Sequence, residues 1–530
     1  MALMNRKQRR AAKSARPIGA APVPSAIQQT RIALAHSARG DHTAAMRAIV
    51  VALAMEENAH SRAAFVECVR AMQFFEDNAA IRGLVLRALR ENWGRPEDLA
   101  LPAADLIKAA GTGIAALAHD DLLRALLCVT PNQDGALEDA LMVARGALLR
   151  APGQVPLEFL CALAQQCFLN EYVFTFPSEE QLLVARLEQE TATALDHDAV
   201  IAPSQIAALA LYRPLTDRRL LDRQWPADID ALLTQQLREP AEERQLAAAL
   251  PQLTPVTDPV SCRVAQQYEE NPYPRWMAAG LPATGTRERA IADILVAGCG
   301  TGRNAIETAQ AFGSARVLAV DLSRASLGHA ARKARQLAVA NIAYAQADLL
   351  KIGALDRRFD LIEAVGVLHH LADPFFGWRV LLGLLKPGGV MKIGLYSAMA
   401  RRDVAAARAE LAAQGFAGTP HGLRAARRYL RARPKFTGVT QRSDFFTLSG
   451  CRDLLFHVQE SHVSLTEIAT FLSEHGLAML GFDLDAPVLA DYQTRFPGDP
   501  AAIDLDNWTI FEAEHPATFR GMYQFWVQQV

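Results

Sequence analysis

Residues 294–304 read Ile-Leu-Val-Ala-Gly-Cys-Gly-Thr-Gly-Arg-Asn, and they decide the fold of this 530-residue chain. The apolar, partly β-branched start predicts a strand that is buried on both faces. Gly298, Gly300 and Gly302 permit positive φ angles and let a ligand approach the backbone closely. Residues 304–311 then show a helical pattern, so the free N–H groups of the first helical turn point back at the glycines. The stretch therefore predicts a strand, a ligand-binding turn and a helix.

Apolar segments alternate with helical segments after this stretch. Such alternation predicts a parallel sheet with helices on both faces, and the crossovers between its strands are right-handed. Ligands of such sheets bind at the carboxyl ends of the strands. The predicted strands are residues 294–297, 316–321, 342–348, 359–365 and 389–395.

Two aspartates follow the glycine turn at the ends of predicted strands. Asp321 ends the second strand, about twenty residues after the turn, where a carboxylate is placed to hold ribose hydroxyls. Asp348 ends the third strand and offers an acceptor for an exocyclic adenine amine, with Leu349 as an apolar ring contact. A dinucleotide-binding turn would carry a third glycine where this chain has Arg303, which disfavours a nicotinamide oxidoreductase.

These motifs resemble the Rossmann-like (class I) S-adenosylmethionine-dependent methyltransferases, and the resemblance covers residues 268–397. In that family the glycine loop lies under the methionine part of the cofactor, and the two acids hold the ribose and the adenine amine. The resemblance implies S-adenosylmethionine as the cofactor. It also implies a seven-stranded, mostly parallel sheet that ends in an antiparallel hairpin. Here residues 477–484 and 522–527 are the expected sixth and seventh strands.

The same resemblance supplies a set of expected cofactor-binding residues. They lie in the glycine turn, at the ends of the predicted strands and in the aromatic segment 268–276. The set is Ala297, Gly298, Gly300, Gly302, Asn304, Asp321, Leu322, Asp348, Leu349, Val365, Tyr268 and Arg275.

The acceptor side is predicted from two further segments. A hydroxyl or ammonium acceptor needs a base, and His369 and His370 after the fourth strand are candidates, with His369 expected to face the pocket. Residues 398–462 form an insertion, and we expect its Asp444, His457 and Glu460 to help line an acceptor pocket. A structural role for the two histidines and a packed helix with exposed polar residues in the insertion are the alternatives. The histidine spacing predicts no metal site.

The first half of the chain is predicted to be all-α. Residues 26–250 carry apolar residues at helical spacing, and the segments 32–41 and 42–55 resemble one tetratricopeptide helix pair. A second copy at the expected period of about 34 residues is not evident, so a plain helical bundle is the alternative. The whole layout resembles a bacterial group that joins a tetratricopeptide-like helical region to a methyltransferase domain.

Four regions follow from these patterns. Residues 1–25 are basic and are expected to be a disordered tail, with an organelle transit peptide or an RNA-contacting arm as alternatives. Residues 26–250 form the helical domain, and residues 251–265, which include three prolines within 251–259, form a linker. Residues 266–530 form the methyltransferase domain.

Composition limits the function classes. A net charge of −2 disfavours a general nucleic-acid binder. Seven scattered cysteines without a CxxC pair are typical of reduced thiols, and the sequence shows neither a secretory h-region nor an apolar run long enough to span a bilayer. A cytoplasmic protein is expected.

Three hypotheses about function remain open at this stage. In the first, the chain methylates an unidentified acceptor, and its helical half docks a protein or another large acceptor. In the second, it is a small-molecule methyltransferase whose helical half serves oligomerisation or caps the pocket. In the third, it is a non-catalytic scaffold that binds S-adenosylmethionine.

Overall fold

The structure is a computed structural model that describes residues 24–270, 272, 276–278 and 291–530. The predicted tail falls almost entirely on residues outside these ranges. The chain divides into two compact units, Met1–Ala71 and Met72–Val530.

The described part of the first unit is a group of short helices. Ser25 caps its first helix in a reciprocal capping box, and Asp41 caps the second helix through the amide of Ala44. The turn between them passes through Gly40 at a φ of +74°, which glycine adopts without strain. The two expected helices of the pair are present, although their tetratricopeptide identity stays a prediction. The helices are Ala26–Ala38, His42–Met55 and Ala59–Val69.

The helical part of the second unit packs around one central helix. Leu157–Leu169 packs against four other helices, and its Phe159, Leu160 and Leu163 are fully buried. The α-helices of residues 72–250 are Ala79–Arg90, Ala100–Ala110, Ile114–Ala118, Asp121–Val129, Gly135–Arg150, Leu157–Leu169, Ser178–Asp196, Pro203–Ala210, Ala227–Leu233 and Glu239–Ala249.

The remainder of the second unit is built on a seven-stranded sheet of order β3-β2-β1-β4-β5-β7-β6. The first five strands pair in parallel, and β7 runs antiparallel to both β5 and β6. The strands are β1 Asp293–Ala297, β2 Arg316–Asp321, β3 Ile342–Gln346, β4 Phe359–Val365, β5 Leu385–Leu395, β6 Leu477–Phe482 and β7 Tyr523–Gln529. The predicted α/β fold, with a helical region before a mostly parallel sheet, is confirmed.

Helices cover both faces of this sheet. Consecutive residues of β1 face opposite sides, because Leu295 and Ala297 join one hydrophobic core while Ile294 and Val296 join the other. This double burial explains the unbroken apolar run that identified the strand. The order of the strands reverses between β1 and β4, and a ligand crevice forms at such a point. The helices around the sheet are Pro259–Glu270, Arg303–Ala311, Arg324–Gln336, Pro374–Leu382, Leu465–Glu474, Ala486–Arg495 and Leu505–Glu514.

The segment predicted as a linker lies against the sheet. Gln252 forms a parallel bridge with Gln346 at the end of β3, and the Leu253 amide donates to the Gln346 carbonyl at 2.8 Å. From Pro259 the chain is already helical. Residues 251–258 therefore act as a short extension of the sheet edge beside the end of β3.

The insertion between β5 and β6 is helical and packs against the helical region. The Arg424 side chain donates to the Tyr172 carbonyl at 2.8 Å, and the Leu448 amide donates to the Asn170 carbonyl at 3.2 Å. The helices of the insertion are Arg402–Ala413, Pro420–Arg431, Thr437–Thr440 and Leu448–Phe456. Across the described ranges, no helix combines the length and the apolar character that crossing a bilayer requires.

Candidate functional site

The glycine turn after β1 has a backbone that only glycine fits. Gly298, Gly300 and Gly302 have φ angles of +69°, +53° and +85°. A Cβ at Gly298 would lie 2.3 Å from the Val367 side chain, and one at Gly302 would lie 2.4 Å from the Ala330 Cβ. Sterics and φ therefore both require glycine at these two positions.

Hydrogen bonds hold the turn against the end of β2. The amides of Gly298 and Cys299 donate to the Val320 carbonyl at 2.8 and 3.0 Å. The Gly300 amide donates to the Asp321 carboxylate at 2.8 Å, and the Ser323 amide donates to its other oxygen at 2.9 Å. Burial raises the pKa of Asp321, and these N–H donors oppose that effect. The turn and the carboxylate are thus preorganised side by side.

Asp348 follows β3 and carries an open acceptor. Its Oδ1 accepts from the Leu350 amide at 3.0 Å, and its own amide donates to Thr254 Oγ1 at 2.7 Å. Its Oδ2 has no hydrogen-bond partner within the described residues, although the side chain is 1% exposed. A buried acceptor without a partner costs free energy, and a ligand N–H would relieve that cost. Asp348 thus fits the adenine amine of S-adenosylmethionine.

Several other residues expected to bind the cofactor have contacts within the protein. The Asn304 side-chain amide donates to Glu363 Oε2 at 2.8 Å, and the Leu322 carbonyl accepts from the Gln346 side chain at 2.9 Å. Ala297 and Leu349 are part of the hydrophobic core, and Val365 ends β4. Arg275 lies outside the described residues. Their contacts with a cofactor remain predictions.

His369 lies in a short 3₁₀ turn after β4 and is fully buried. Within the described residues both of its ring nitrogens lack hydrogen-bond partners. Its ring stacks on Tyr396 with centroids 3.6 Å apart, and the Arg401 guanidinium carbon lies 3.8 Å from the centre of the same Tyr396 ring. Burial, together with the neighbouring His370 and Arg401, lowers the pKa of His369 well below its usual value. His369 is therefore neutral and has a lone pair to offer.

His370 belongs to a second polar group that reaches into the insertion. Its ring stacks on His457 with centroids 3.8 Å apart. Tyr268 Oη lies 3.2 Å from His457 Nε2 and donates to Asp453 Oδ1 at 2.6 Å. Burial lowers the pKa of His457 to about 2, so this imidazole is neutral. The structure brings His370, His457 and Tyr268 together, and it adds Asp453.

Glu460 has an environment that the sequence did not indicate. Its carboxylate pairs with Arg401 at 2.8 Å, with Arg408 at 3.0 Å and with His462 at 2.6 Å. Burial alone would raise its pKa, but His462 and the two arginines outweigh burial and lower the pKa to about 2. Asp444 lies half-buried in the short helix Ser443–Phe446. Glu460 is the centre of an ion-pair cluster beside the two histidine groups, and its contact with an acceptor remains a prediction.

Sequence reasoning missed Tyr396, Arg401 and Asp453. Tyr396 directly follows β5, so its position at the carboxyl end of a parallel strand is a signal that could have found it. Asp453 lies four residues before His457 at the end of Leu448–Phe456, which is the spacing of side chains on one helix face. Arg401 has no comparable signal, since its partner Glu460 lies 59 residues away in the sequence.

Comparisons with known proteins agree with the sheet and the turn. Residues 294–389 match the family model described as "Methyltransferase domain". An uncharacterized protein of Synechococcus sp. is 32% identical over 199 residues, which are 36% of this chain and 48% of that protein. The chain therefore spans about half the length of that curated relative.

Solved structures of other proteins show a partial likeness. PKMT2 from Rickettsia typhi is 15% identical with a TM-score of 0.35, and the match covers 53% of this chain and 54% of that chain. The magnesium protoporphyrin IX methyltransferase from Synechocystis is 15% identical with a TM-score of 0.25, and the match covers 45% and 74% of the two chains.

The family match coincides with the part of the chain that carries the glycine turn and both acids. The match begins at β1 and ends within β5, so it includes Gly298–Gly302, Asp321 and Asp348. These residues have the positive φ angles, the amide–carboxylate bond and the open acceptor described above. Residues 294–389 are therefore similar to a methyltransferase domain, and the glycine turn and both acids lie within that similarity.

Proposed function

We propose that this protein transfers a methyl group from S-adenosylmethionine to a small acceptor that binds between β4 and the insertion. The observation that carries the proposal is the pair of carboxylates at the ends of β2 and β3. Asp321 is fixed to the glycine turn, while Asp348 keeps a buried oxygen open for a donor. Asp321 suits the ribose hydroxyls, and Asp348 suits the adenine amine.

The residues on the donor side bind S-adenosylmethionine and orient it. S-adenosylmethionine supplies a methyl group on a positively charged sulfur. Glycine at positions 298, 300 and 302 leaves no Cβ between a ligand and the backbone. Side chains at Gly298 and Gly302 would also collide with Val367 and Ala330. Because both carboxylates are held by backbone amides, they lose little freedom when a ligand binds.

The acceptor side is a buried group of rings. His369 is 0% exposed, His457 is 4% exposed and Tyr396 is 9% exposed. A folded protein surface does not reach groups this deep, whereas a small molecule or a slender chemical group does. Alignment of the acceptor with the methyl group supplies much of the rate acceleration in such a transfer. The burial therefore favours the small-molecule hypothesis over the docking of a large acceptor.

The helical region supports the acceptor side in this proposal. Glu138 of Gly135–Arg150 forms a buried ion pair with Arg427 of the insertion at 2.8 Å. Leu448, at the start of the insertion helix that carries Asp453, donates its amide to Asn170. Residues 135–170 thus pack against the insertion and stabilise its position.

Calorimetry with S-adenosylhomocysteine tests the donor site on the full chain. We expect binding to the wild type and a loss of about tenfold or more for Asp321→Ala, since one charged hydrogen bond contributes about 1.5–3 kcal/mol. Asp356→Ala is a matched control, because Asp356 is exposed, and its binding should equal that of the wild type. No binding to the wild type would overturn the proposal.

A transfer assay tests the acceptor class. The protein is incubated with methyl-labelled S-adenosylmethionine and a host extract, which is then separated into small molecules, lipid and protein. Label in the small-molecule fraction supports the proposal, and label confined to protein restores the large-acceptor hypothesis. Binding without transfer to any fraction favours the non-catalytic scaffold.

A further inference from the structure

The backbone of Gln459 contacts the Nδ1 atoms of two histidines, with its amide at one ring and its carbonyl at the other. Its amide donates to His457 Nδ1 at 3.0 Å. Its carbonyl lies 3.1 Å from His370 Nδ1. A carbonyl oxygen only accepts hydrogen bonds, so His370 carries a proton on Nδ1. Because His457 Nδ1 accepts, the proton of neutral His457 resides on Nε2.

The proton on His457 sets the direction of the neighbouring hydrogen bonds. His457 Nε2 donates to Tyr268 Oη at 3.2 Å, so the phenol keeps its own proton for Asp453 Oδ1 at 2.6 Å. The series of hydrogen bonds from His457 through Tyr268 therefore ends on the carboxylate of Asp453, which is 5% exposed. Such a directed chain accepts a proton at Tyr268 Oη and delivers one at Asp453.

The same tautomer argues against a metal at this cluster. His370, Asp453 and His457 each present a ligand atom within 4.8 Å of the others. A metal needs an unprotonated nitrogen, and in a metal-bound histidine the other nitrogen usually donates a hydrogen bond. His457 meets neither condition, because Nε2 is protonated and Nδ1 accepts from an amide. The arrangement suits proton transfer better than metal binding.

Tyr268 also lies next to the donor site. The adjacent Glu269 accepts hydrogen bonds from the amides of Arg324 and Ala325, at the start of the helix after β2. After burial and Asp453, the charges of Tyr396 and Asp321 are further causes of the raised pKa of Tyr268. Tyr268 thus contacts Asp453 of the insertion through its hydroxyl, while its neighbour in sequence contacts the helix after β2.

We propose that Tyr268 and Asp453 form the proton-accepting pair of the methyl transfer, so that the acceptor is a hydroxyl or an amine that loses a proton. This inference rests on the proposed function and extends it. It assigns Tyr268 to the acceptor side rather than to cofactor binding, and it gives Asp453 a chemical role.

The step balances in atoms and charge. The acceptor oxygen or nitrogen forms a bond to the methyl carbon while the carbon–sulfur bond breaks, and its electron pair stays on the sulfur. The proton of the acceptor passes to Tyr268 Oη, and the phenol proton passes to Asp453 Oδ1. Asp453 then releases that proton to solvent, so no other reactant is needed.

Two substitutions test the pair in the extract assay. Tyr268→Phe and Asp453→Asn should each lower the turnover of label by about 100-fold or more, which is the typical contribution of acid–base catalysis. Their affinity for S-adenosylhomocysteine should equal that of the wild type. Wild-type turnover in either variant would overturn the inference, while the calorimetry of the donor site would still support the proposed function.

The insertion offers a matched control pair. Tyr429 Oη donates to Glu410 Oε1 at 2.6 Å, so it repeats the phenol–carboxylate contact away from the two histidines. Tyr429→Phe and Glu410→Gln should turn over at the wild-type rate. An equal loss in these controls would show that any phenol–carboxylate contact of the insertion is needed only for folding.

Chemical rescue separates proton transfer from a structural role. Formate supplied to Asp453→Ala replaces the missing carboxylate and should restore part of the turnover. Formate should not restore Tyr268→Phe, which lacks the oxygen that receives the proton. Absence of rescue in Asp453→Ala, with S-adenosylhomocysteine binding intact, would contradict the proton-accepting role.

The tautomers can be measured without knowing the acceptor. In ¹⁵N-histidine-labelled protein with S-adenosylhomocysteine, we expect His457 protonated on Nε2 and His370 protonated on Nδ1. His457 protonated on Nδ1 would overturn the inference. Loss of turnover in EDTA, with recovery when Zn²⁺ alone is added, would also overturn it in favour of a metal.

Discussion

Arg427 and Glu138 form a buried ion pair although 289 positions separate them in the sequence. The guanidinium donates to both carboxylate oxygens, at 3.1 and 2.8 Å, and the two side chains are 4% and 2% exposed. Arg431 adds a third contact to Glu138 at 3.2 Å. Since both charges are buried, each relies on the other for pairing, and the contact ties the insertion to the helical region.

Removal of one partner of this pair should be strongly destabilising. We expect Arg427→Leu to lower the free energy of unfolding by about 3–5 kcal/mol, because Glu138 would be left as a buried charge with weaker pairing. Arg428→Leu, on the exposed face of the same helix, is the control and should have little effect. Urea unfolding of both variants gives the comparison.

A double substitution checks the cause of that loss. Arg427→Met with Glu138→Leu removes both charges, and apolar replacements of a buried pair often recover stability. We expect the double variant to be more stable than Arg427→Leu alone. A double variant that is less stable than Arg427→Leu would show that the contact stabilises the protein through its shape and not through its charge.

The glycine turn should tolerate no side chain at Gly302. Alanine there would adopt a φ of +85° and would place its Cβ 2.4 Å from Ala330. Strain and overlap together should cost about 2–4 kcal/mol and should also abolish binding of S-adenosylhomocysteine. Gly313→Ala is the control, since nothing lies within 4 Å of a Cβ at that position. Equal melting temperatures for the two variants would contradict the geometry of the turn.

The sheet and the glycine turn were largely predictable from local patterns. A strand buried on both faces is an unbroken apolar run, and a turn at positive φ must be glycine, so β1 and Gly298–Gly302 were both evident. Asp321 was predicted because the length of a helix and a strand fixes its distance from the turn in the sequence. The predicted strands 316–321 and 359–365 agree with the observed β2 and β4 to the residue.

The acceptor side was less predictable because it depends on contacts between distant segments. Glu460 was expected to line a pocket, which stays a prediction. It pairs with Arg401 and Arg408, which lie 59 and 52 positions earlier in the same insertion. Asp453 gains its role from Tyr268, which lies 185 positions earlier. The spacing of residues within one helix or turn carries no information about such partners.

Stability in acid should depend on Glu460. Its folded pKa of about 2 lies below the ordinary value of 4.5, so its contribution is fully present above pH 4.5 and is lost as the pH falls toward 2. The difference corresponds to about 3 kcal/mol for this buried group. Glu460→Gln should therefore be less stable than the wild type at neutral pH, and the gap should close in acid. Urea unfolding across this pH range measures it, and a constant gap would contradict the role of the charge.

Asp348 provides the sharpest test of the donor site, because its open oxygen should affect binding and not folding. In Asp348→Asn the amide oxygen can still accept from Leu350, while an N–H₂ group replaces Oδ2 and would face the adenine amine as a second donor. Affinity for S-adenosylhomocysteine should fall by about 10- to 100-fold. The unliganded protein should melt no lower than the wild type, since one unpartnered buried polar group takes the place of another.

The control for this substitution is Asp356→Asn, which makes the same chemical change at an exposed position and should bind as the wild type does. Thermal melting with and without S-adenosylhomocysteine separates the two effects, because a ligand raises the melting temperature more, the more tightly it binds the folded state. An Asp348→Asn variant that binds as tightly as the wild type would show that Oδ2 does not contact the cofactor. A variant that melts lower without ligand would show that the carboxylate stabilises the end of β3 instead.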